Sequence, residues 1–272
     1  MVRGDRMTGA DIWDDGQAYE RYVGRWSRRV AAEFLDWLGL PPGLRILDLG
    51  CGTGALVETV LERSRPAAVT GLDSAAAFLA LARRRVTDPR VRFEQGDAQA
   101  LPFEDDVFDA AVSGLVLNFV PRPGGAIAEL RRVVRPEGVV ALYVWDYAGE
   151  MQFMRRFWDA ATALDREAAD LDEGRRFPIC SPAALAASFR DGGLDAIETR
   201  AIDVPTVFAD FDDFWSPFLG GQGPAPGYAA SLPDEARAKL REHLRKSLPQ
   251  EEDGRIPLIA RALAVRGRVP RA

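Results

Sequence analysis

Three aspartates in this chain each close, or closely follow, a short apolar run: Asp48 in LRILDL, Asp73 after AAVTGL, and Asp97 just beyond VRFEQ. Glycines take alternate positions straight after the first, Gly50, Gly52 and Gly54 in LDLGCGTG. Glycines at that density in a strand-to-helix turn leave the backbone bare, so a ligand can lie where a Cβ would stand. Two ligands match the pattern. Gly50, Gly52 and Ala55 satisfy the dinucleotide spacing G-x-G-x-x-A, and Asp73, 23 residues after Gly50, is where a ribose-binding acid belongs. Asp48 argues for the other ligand, because a carboxylate beside the turn repels a pyrophosphate and attracts a cationic amino-acid group. Asp97 adds an acceptor for an exocyclic adenine amine. An adenosine carrying a cation suits these residues better than a diphosphate.

Residues for proton transfer are scarce. His243 is the single histidine, within KLREHLRK, and Asp146, Tyr147 and Glu150 come just after the run VVALYVW. Any of these four is a candidate base, and none stands out. Cys51 and Cys180 are the only cysteines, so neither a disulfide framework nor a Cys/His metal site can be assembled, and no metal is expected. Cys51 sits inside the glycine turn and reads as a small filler.

The elements that must position these residues alternate. Apolar runs Leu44–Leu49, Ala67–Leu72, Val91–Gln95, Val107–Ser113 and Val139–Trp145 are separated by helical patterns, the signature of a doubly wound parallel sheet. Ser74 is placed to cap the helix AAAFLALARRR, and AIAELRRVVRPEG is expected to stop at Pro136 and Gly138. SPAALAASFRDGG starts on a Ser-Pro cap pair; LDAIETRAIDVP and IPLIARALAVRGR supply two more strands. Segments 147–180 and 205–253 are left over. The first carries Met151, Met154, Phe157, Trp158, Ala161 and Leu164 at helical spacing, and the second is aromatic-rich, then Gly/Pro-rich, then highly charged. Both are read as lid insertions in a single domain spanning 1–272.

ILDLGCGTG, GLDSA, GDAQALPFEDDVFDAAVSG and ELRRVVRPEGVV resemble, in order and spacing, the motifs of class I S-adenosylmethionine-dependent methyltransferases, in particular the ubiquinone and menaquinone biosynthesis group. The resemblance covers about Tyr19 to Asp146, and the sequence after Asp146 departs from the quinone enzymes. It implies an α/β, Rossmann-like sheet of seven strands, six parallel and one antiparallel, with S-adenosyl-L-methionine as cofactor. Asp48 and the backbone of Gly50, Cys51 and Gly52 would hold its methionine part, Asp73 its ribose, Ser74 the side of the adenine, and Asp97 with Ala98 the adenine edge. Ser113 would offer backbone to the amino group. YERYVGRWSR, within residues 1–40, resembles a segment that folds over the cofactor, with Tyr22 and Trp26 as covering residues.

Composition narrows the partners. Hydrophobic residues are 47% and charged residues 28%, the balance of an ordinary globular protein. A net charge of −6 makes nucleic acid a poor partner. The charged start and the lack of a long apolar run suggest a cytoplasmic protein without membrane contact, monomeric or homodimeric. The Phe- and Trp-rich insertions suggest a small apolar or aromatic methyl acceptor. Three alternatives stay open: an NAD-binding oxidoreductase, although no Tyr-x-x-x-Lys pair follows the fourth strand; a macromolecule methyltransferase, although no Asn/Asp-Pro-Pro-Tyr motif is present; and a non-catalytic cofactor-binding module.

Overall fold

A computed structural model describes residues 24–220 and 223–271, so Tyr22 and most of the N-terminal covering segment lie outside the described residues. The strands are β1 Arg45–Leu49, β2 Ala68–Asp73, β3 Val91–Gln95, β4 Phe108–Gly114, β5 Val134–Trp145, β6 Asp195–Phe208 and β7 Ile256–Arg268. The helices are α1 Arg25–Leu38, α2 Ala55–Ser64, α3 Ala76–Arg85, α4 Pro123–Val133, α5 Gln152–Leu164, α6 Glu173–Arg176, α7 Pro182–Asp191, α8 Phe211–Trp215, α9 Pro224–Ser231 and α10 Asp234–Ser247. They divide between two compact units. One comprises Trp26–Asp146, Pro178–Val204 and Arg261–Ala272; the other includes Tyr147–Phe177 and Pro205–Ala260.

The seven strands form one mixed sheet in the order β3-β2-β1-β4-β5-β7-β6. Strands β1 to β5 pair in parallel, as the pattern of runs predicts, and β7 runs antiparallel to β5, as the resemblance implies. The order reverses at β1, which lies between β2 and β4; crevices for ligands open at such a point, outside the carboxyl ends of the strands. β1 is buried over all but its first residue, and Ile46, Leu47, Ala110, Ala111 and Val112 are wholly enclosed. Side chains covered on both faces are what make parallel strands read as continuous apolar runs. On α1, Val30, Phe34 and Leu35 are buried, and the Phe34 ring lies 4.8 Å from that of Tyr143 on β5.

Two expected helix ends are corrected. Ser74 does not cap α3: the N-cap position is Ala75, without a side-chain cap, and the Ala75 N–H goes to Asp73 Oδ1 at 2.8 Å. The carboxylate one residue earlier has taken the capping donor. Likewise α4 ends at Val133 and β5 begins at Val134, so Pro136 and Gly138 belong to the strand. The β4–β5 register shifts between Phe108 and Ala110, and Asp109 ties this irregular start by accepting from Arg45 N at 2.7 Å and Arg135 Nε at 2.8 Å. Ser181 caps α7 as expected, its Oγ accepting from Ala184 N.

The second unit has its own aromatic core. Phe153 packs against Phe208, Phe214 and Phe218 with ring centroids 4.5 to 5.3 Å apart, and Phe157 stacks on Phe218 at 4.4 Å. The buried face of α5 comprises Phe153, Met154, Phe157, Trp158, Ala160 and Ala161. Leu164, expected in that stripe, is instead half exposed, because the helix ends there. Several of its polar groups are paired: Arg155 forks onto Asp172 at 2.8 and 3.1 Å, Trp158 Nε1 donates to Glu173, and Tyr228 donates to Asp165 at 3.0 Å, whereas the buried Thr206 hydroxyl has no partner.

Candidate functional site

The glycine turn between β1 and α2 is held by β2. Gly50 N and Cys51 N both donate to Leu72 O, at 2.7 and 3.0 Å, and Gly52 N donates to Asp73 Oδ2 at 2.9 Å. Gly50, Gly52 and Gly54 all have left-handed backbones, with φ of 72, 52 and 90°. Their surroundings differ. A Cβ on Gly50 would overlap a Val116 methyl, 2.3 Å away, and one on Gly54 would press on Val86. A Cβ on Gly52 would meet nothing within 4 Å. Glycine at 50 is therefore required by packing, and only Gly52 offers bare backbone to open space.

Asp48 is fully enclosed at the end of β1, and neither carboxylate oxygen has a hydrogen-bond partner. Burial, and secondarily the charge of Asp73, pushes its pKa up to about 8. A buried carboxylate without a partner is costly, and it is the strongest signal that this site is completed by something cationic. Asp73 closes β2, and its two oxygens accept from Gly52 N and Ala75 N. Burial raises its pKa, opposed by those backbone donors. Ser113 ties β4 to β1, its Oγ donating to Leu49 O at 2.7 Å. Cys51 is buried, its sulfur 2.9 Å from where a Cβ on Gly71 would stand. Burial, with Asp48 and Asp73 nearby, drives the thiol pKa upward, which makes it a filler and a poor nucleophile.

The remaining candidates are placed as follows. Ser74 is exposed, and its carbonyl accepts from Gln95 Nε2 at 2.9 Å. Asp97 is exposed in the turn after β3; its Oδ1 accepts from Gln99 N at 2.8 Å, and its pKa is lowered chiefly by that bond. Ala98 is half-buried beside it. Thus Asp48, Gly50, Cys51, Gly52, Asp73 and Ser113 are interlocked around the ends of β1, β2 and β4, with Asp97 and Ala98 in the loop after β3. Trp26 is buried at the start of α1, with Arg29 5.9 Å from its ring centre. Asp146 is half-buried and donates its N–H to Arg261 O, Tyr147 is buried with its ring 5.6 Å from that of Phe177, and His243 is exposed on α10.

Residues 47–142 match the family model described as a methyltransferase domain. That stretch is similar to methyltransferase domains. Among its relatives is the trans-aconitate 2-methyltransferase of Deinococcus radiodurans, 35% identical over 171 residues, covering 59% of this chain and 61% of the relative. The 2-phytyl-1,4-naphtoquinone methyltransferase of Thermosynechococcus vestitus is 42% identical over 110 residues, covering 40% of this chain and 49% of the relative. The chain therefore spans about half to three-fifths of the length of these relatives. The solved structure of a protein from Bacillus halodurans described as a putative methyltransferase shares the fold, with TM-score 0.59 and 16% identity over 89% of this chain and 99% of that one.

Sequence reasoning overlooked the turn after β4. Leu115 has a left-handed backbone, φ 64°, costly for a residue with a branched side chain. Val116 fills the space at Gly50, and Asn118 is buried with both amide atoms unpartnered. The available signal was a lone polar residue in the apolar stretch GLVLNFV. No helix among the described residues is long and apolar enough to cross a membrane.

Proposed function

We propose that the chain binds S-adenosyl-L-methionine at the ends of β1 to β3 and transfers its methyl group to a small apolar or aromatic molecule. The observation that carries the reading is the enclosed, partnerless carboxylate of Asp48 beside the open backbone of Gly52. Those residues fit this cofactor, because its amino-acid end brings the ammonium that Asp48 lacks. When bound, S-adenosyl-L-methionine supplies a methyl group on a positively charged sulfur, already activated for in-line displacement.

The chain's own part is binding and alignment. Asp48 takes the ammonium and ionises; Asp73, fixed by Gly52 and Ala75, accepts the ribose hydroxyls through its remaining lone pairs; Asp97 and Ala98 read the adenine edge. Holding an acceptor in near-attack contact in a dry site supplies much of the acceleration without a dedicated base. The acceptor class is supported by the aromatic richness of the second unit and by the naphthoquinone named for the Thermosynechococcus relative; the trans-aconitate of the Deinococcus relative marks the polar alternative.

Calorimetric titration with S-adenosylhomocysteine and with NADH tests the cofactor: binding of NADH alone would overturn it. Labelled methyl donor presented with phenols, quinols and lipid acids tests the acceptor. Transfer only to protein, RNA or a polycarboxylate would refute that class, and binding without transfer to any extract would leave a non-catalytic module.

A further inference from the structure

Glu173 opens the short helix α6 in the second unit and is 2% exposed. Its carboxyl accepts from Nε1 of Trp158 on α5, a side chain that is itself buried. Asp172, just before it, is also enclosed and caps α6 by accepting from Gly174 N at 2.9 Å. Two buried acids thus stand side by side. Arg155, on the same helix as Trp158, is already engaged: it forks onto Asp172 at 2.8 and 3.1 Å and holds Asp159 at 2.9 Å. From α9, Tyr228 brings its ring to 5.8 Å from that of Trp158 but gives its hydroxyl to Asp165. The indole N–H is left facing Glu173, and a neutral donor does not offset a buried charge.

The neutral acid is therefore the form that the surroundings favour. Burial, working against the Trp158 bond and the residue's own backbone N–H, moves its pKa from 4.5 to about 7; Asp172 adds to the rise, and Arg176 takes back less than Asp172 adds. A glutamine would accept the same indole hydrogen bond without the cost of a charge. What glutamate adds is a proton that leaves near neutral pH.

The helix that Glu173 opens clasps the start of the unit. The Phe177 ring lies 5.6 Å from that of Tyr147, and Arg155 also donates to Tyr147 O at 3.4 Å. Gly174 sits so close that a Cβ there would stand 2.9 Å from Ala148 Cα and 3.0 Å from Tyr147 O. We infer that Glu173 is a proton-operated latch: while its carboxyl is neutral, residues 171–177 stay docked on α5 and hold Tyr147, and ionisation releases them. In the released segment the carboxyl meets water and has its ordinary affinity for a proton. The ratio of docked to released segment is therefore greatest below pH 4.5, falls about tenfold per pH unit up to about pH 7, and is constant above.

Hydrogen exchange of the full chain, read by mass spectrometry and corrected for the chemical rate at each pH, tests the latch. The reporting amides are those of Arg175 and Arg176, which donate to Asp172 O, and of Phe177, which donates to Glu173 O. Their protection in the wild type should fall roughly 50- to 100-fold between pH 5 and pH 8. In Glu173→Gln, which cannot ionise, most of that fall should vanish. Glu173→Met, which also cannot ionise, should behave likewise and serves if the glutamine variant folds poorly. Wild-type protection that does not change with pH, or a fall of equal size in either variant, overturns the inference.

Discussion

Replacing Asp48 by asparagine should stabilise the ligand-free protein while crippling its site. The wild-type carboxyl is enclosed and unpartnered, with its pKa moved from 3.8 to about 8 by burial and by Asp73. Its folded-state pKa exceeds its unfolded value, so the folded state holds the proton more tightly and stability declines as pH rises from 3.8 toward 8. At about 1.4 kcal/mol per pH unit, the penalty reaches about 2 kcal/mol at pH 5 and about 4 kcal/mol at pH 7. These are upper limits, because slight relaxation or an entering water rehydrates the carboxylate. The substituted carboxamide keeps the shape and the unsatisfied polar atoms of the protonated carboxyl but cannot ionise. The variant should therefore melt above the wild type by on the order of 8 °C at pH 7 and by about half that at pH 5. Glu173, whose pKa burial pushes up to about 7, contributes a pH dependence of the same sign to both proteins and cancels in the difference. A Tm difference independent of pH, or an Asp48→Asn variant that melts below the wild type at pH 8, would refute the reasoning. Binding gives a second arm. On the proposed reading S-adenosylhomocysteine would bring an ammonium to Asp48, so the wild type should release close to one proton per ligand at pH 7, measured by calorimetry in buffers of different ionisation enthalpy. The variant should release none.

The remaining predictions concern the glycine turn, the second carboxylate and the aromatic core. Gly50→Ala must displace Val116 and should lower stability by about 2–4 kcal/mol, partly restored in the Gly50→Ala/Val116→Ala double variant, as a double-mutant cycle of melting temperatures would show. Gly52→Ala has open space but an unfavourable φ; it should cost only about 1 kcal/mol of stability while sharply reducing S-adenosylhomocysteine affinity, so equal melting losses at the two glycines would contradict their division. Asp73→Ala should weaken the same ligand roughly tenfold or more, and unchanged affinity by titration would remove Asp73 from the site. Phe218→Ala, which opens a hole among Phe153, Phe157 and Phe214, should cost about 3–5 kcal/mol in denaturant unfolding of the full chain.

The sheet was legible because its strands are enclosed on both faces and therefore read as unbroken apolar runs, with glycine and acidic residues marking where each leaves the core. The helix boundaries were less so. Pro136 and Gly138 look like a helix stop, yet the paired strand already starts at Val134, because an irregular start to the β4–β5 pairing accommodates both residues. Ser74 looks like a cap, yet Asp73 one residue earlier supplies the acceptor. In both cases a tertiary partner decided what local chemistry could only propose. Leu164 shows the reverse limit: helical spacing alone cannot tell that the last turn of α5 has nothing to cover it. Which glycine faces a ligand was also beyond spacing, since Val116 and Val86 reach Gly50 and Gly54 from distant parts of the chain.

The pairing of buried acids contrasts between the two regions, although the buried Thr206 hydroxyl of the second unit is also without a partner. In the second unit the buried acids and the aromatic rings that carry hydrogen-bonding groups have found one another: Arg155 with Asp172, Trp158 with Glu173, Tyr228 with Asp165. Such pairs fix a core, and breaking one should unfold rather than inactivate. At the carboxyl ends of β1 and β4 the opposite holds, where Asp48 and Asn118 are enclosed, unpaired and next to a strained Leu115. Folding alone gives no reason to keep three such costs within two adjacent strand ends, because leucine or valine at 48 and 118 and glycine at 115 would relieve them. The proposed donor would, since each cost would become binding energy when its charged amino-acid group enters. Stability lost in the free protein is then recovered only with the ligand that fits, which makes the same residues a source of selectivity against nucleosides lacking that group.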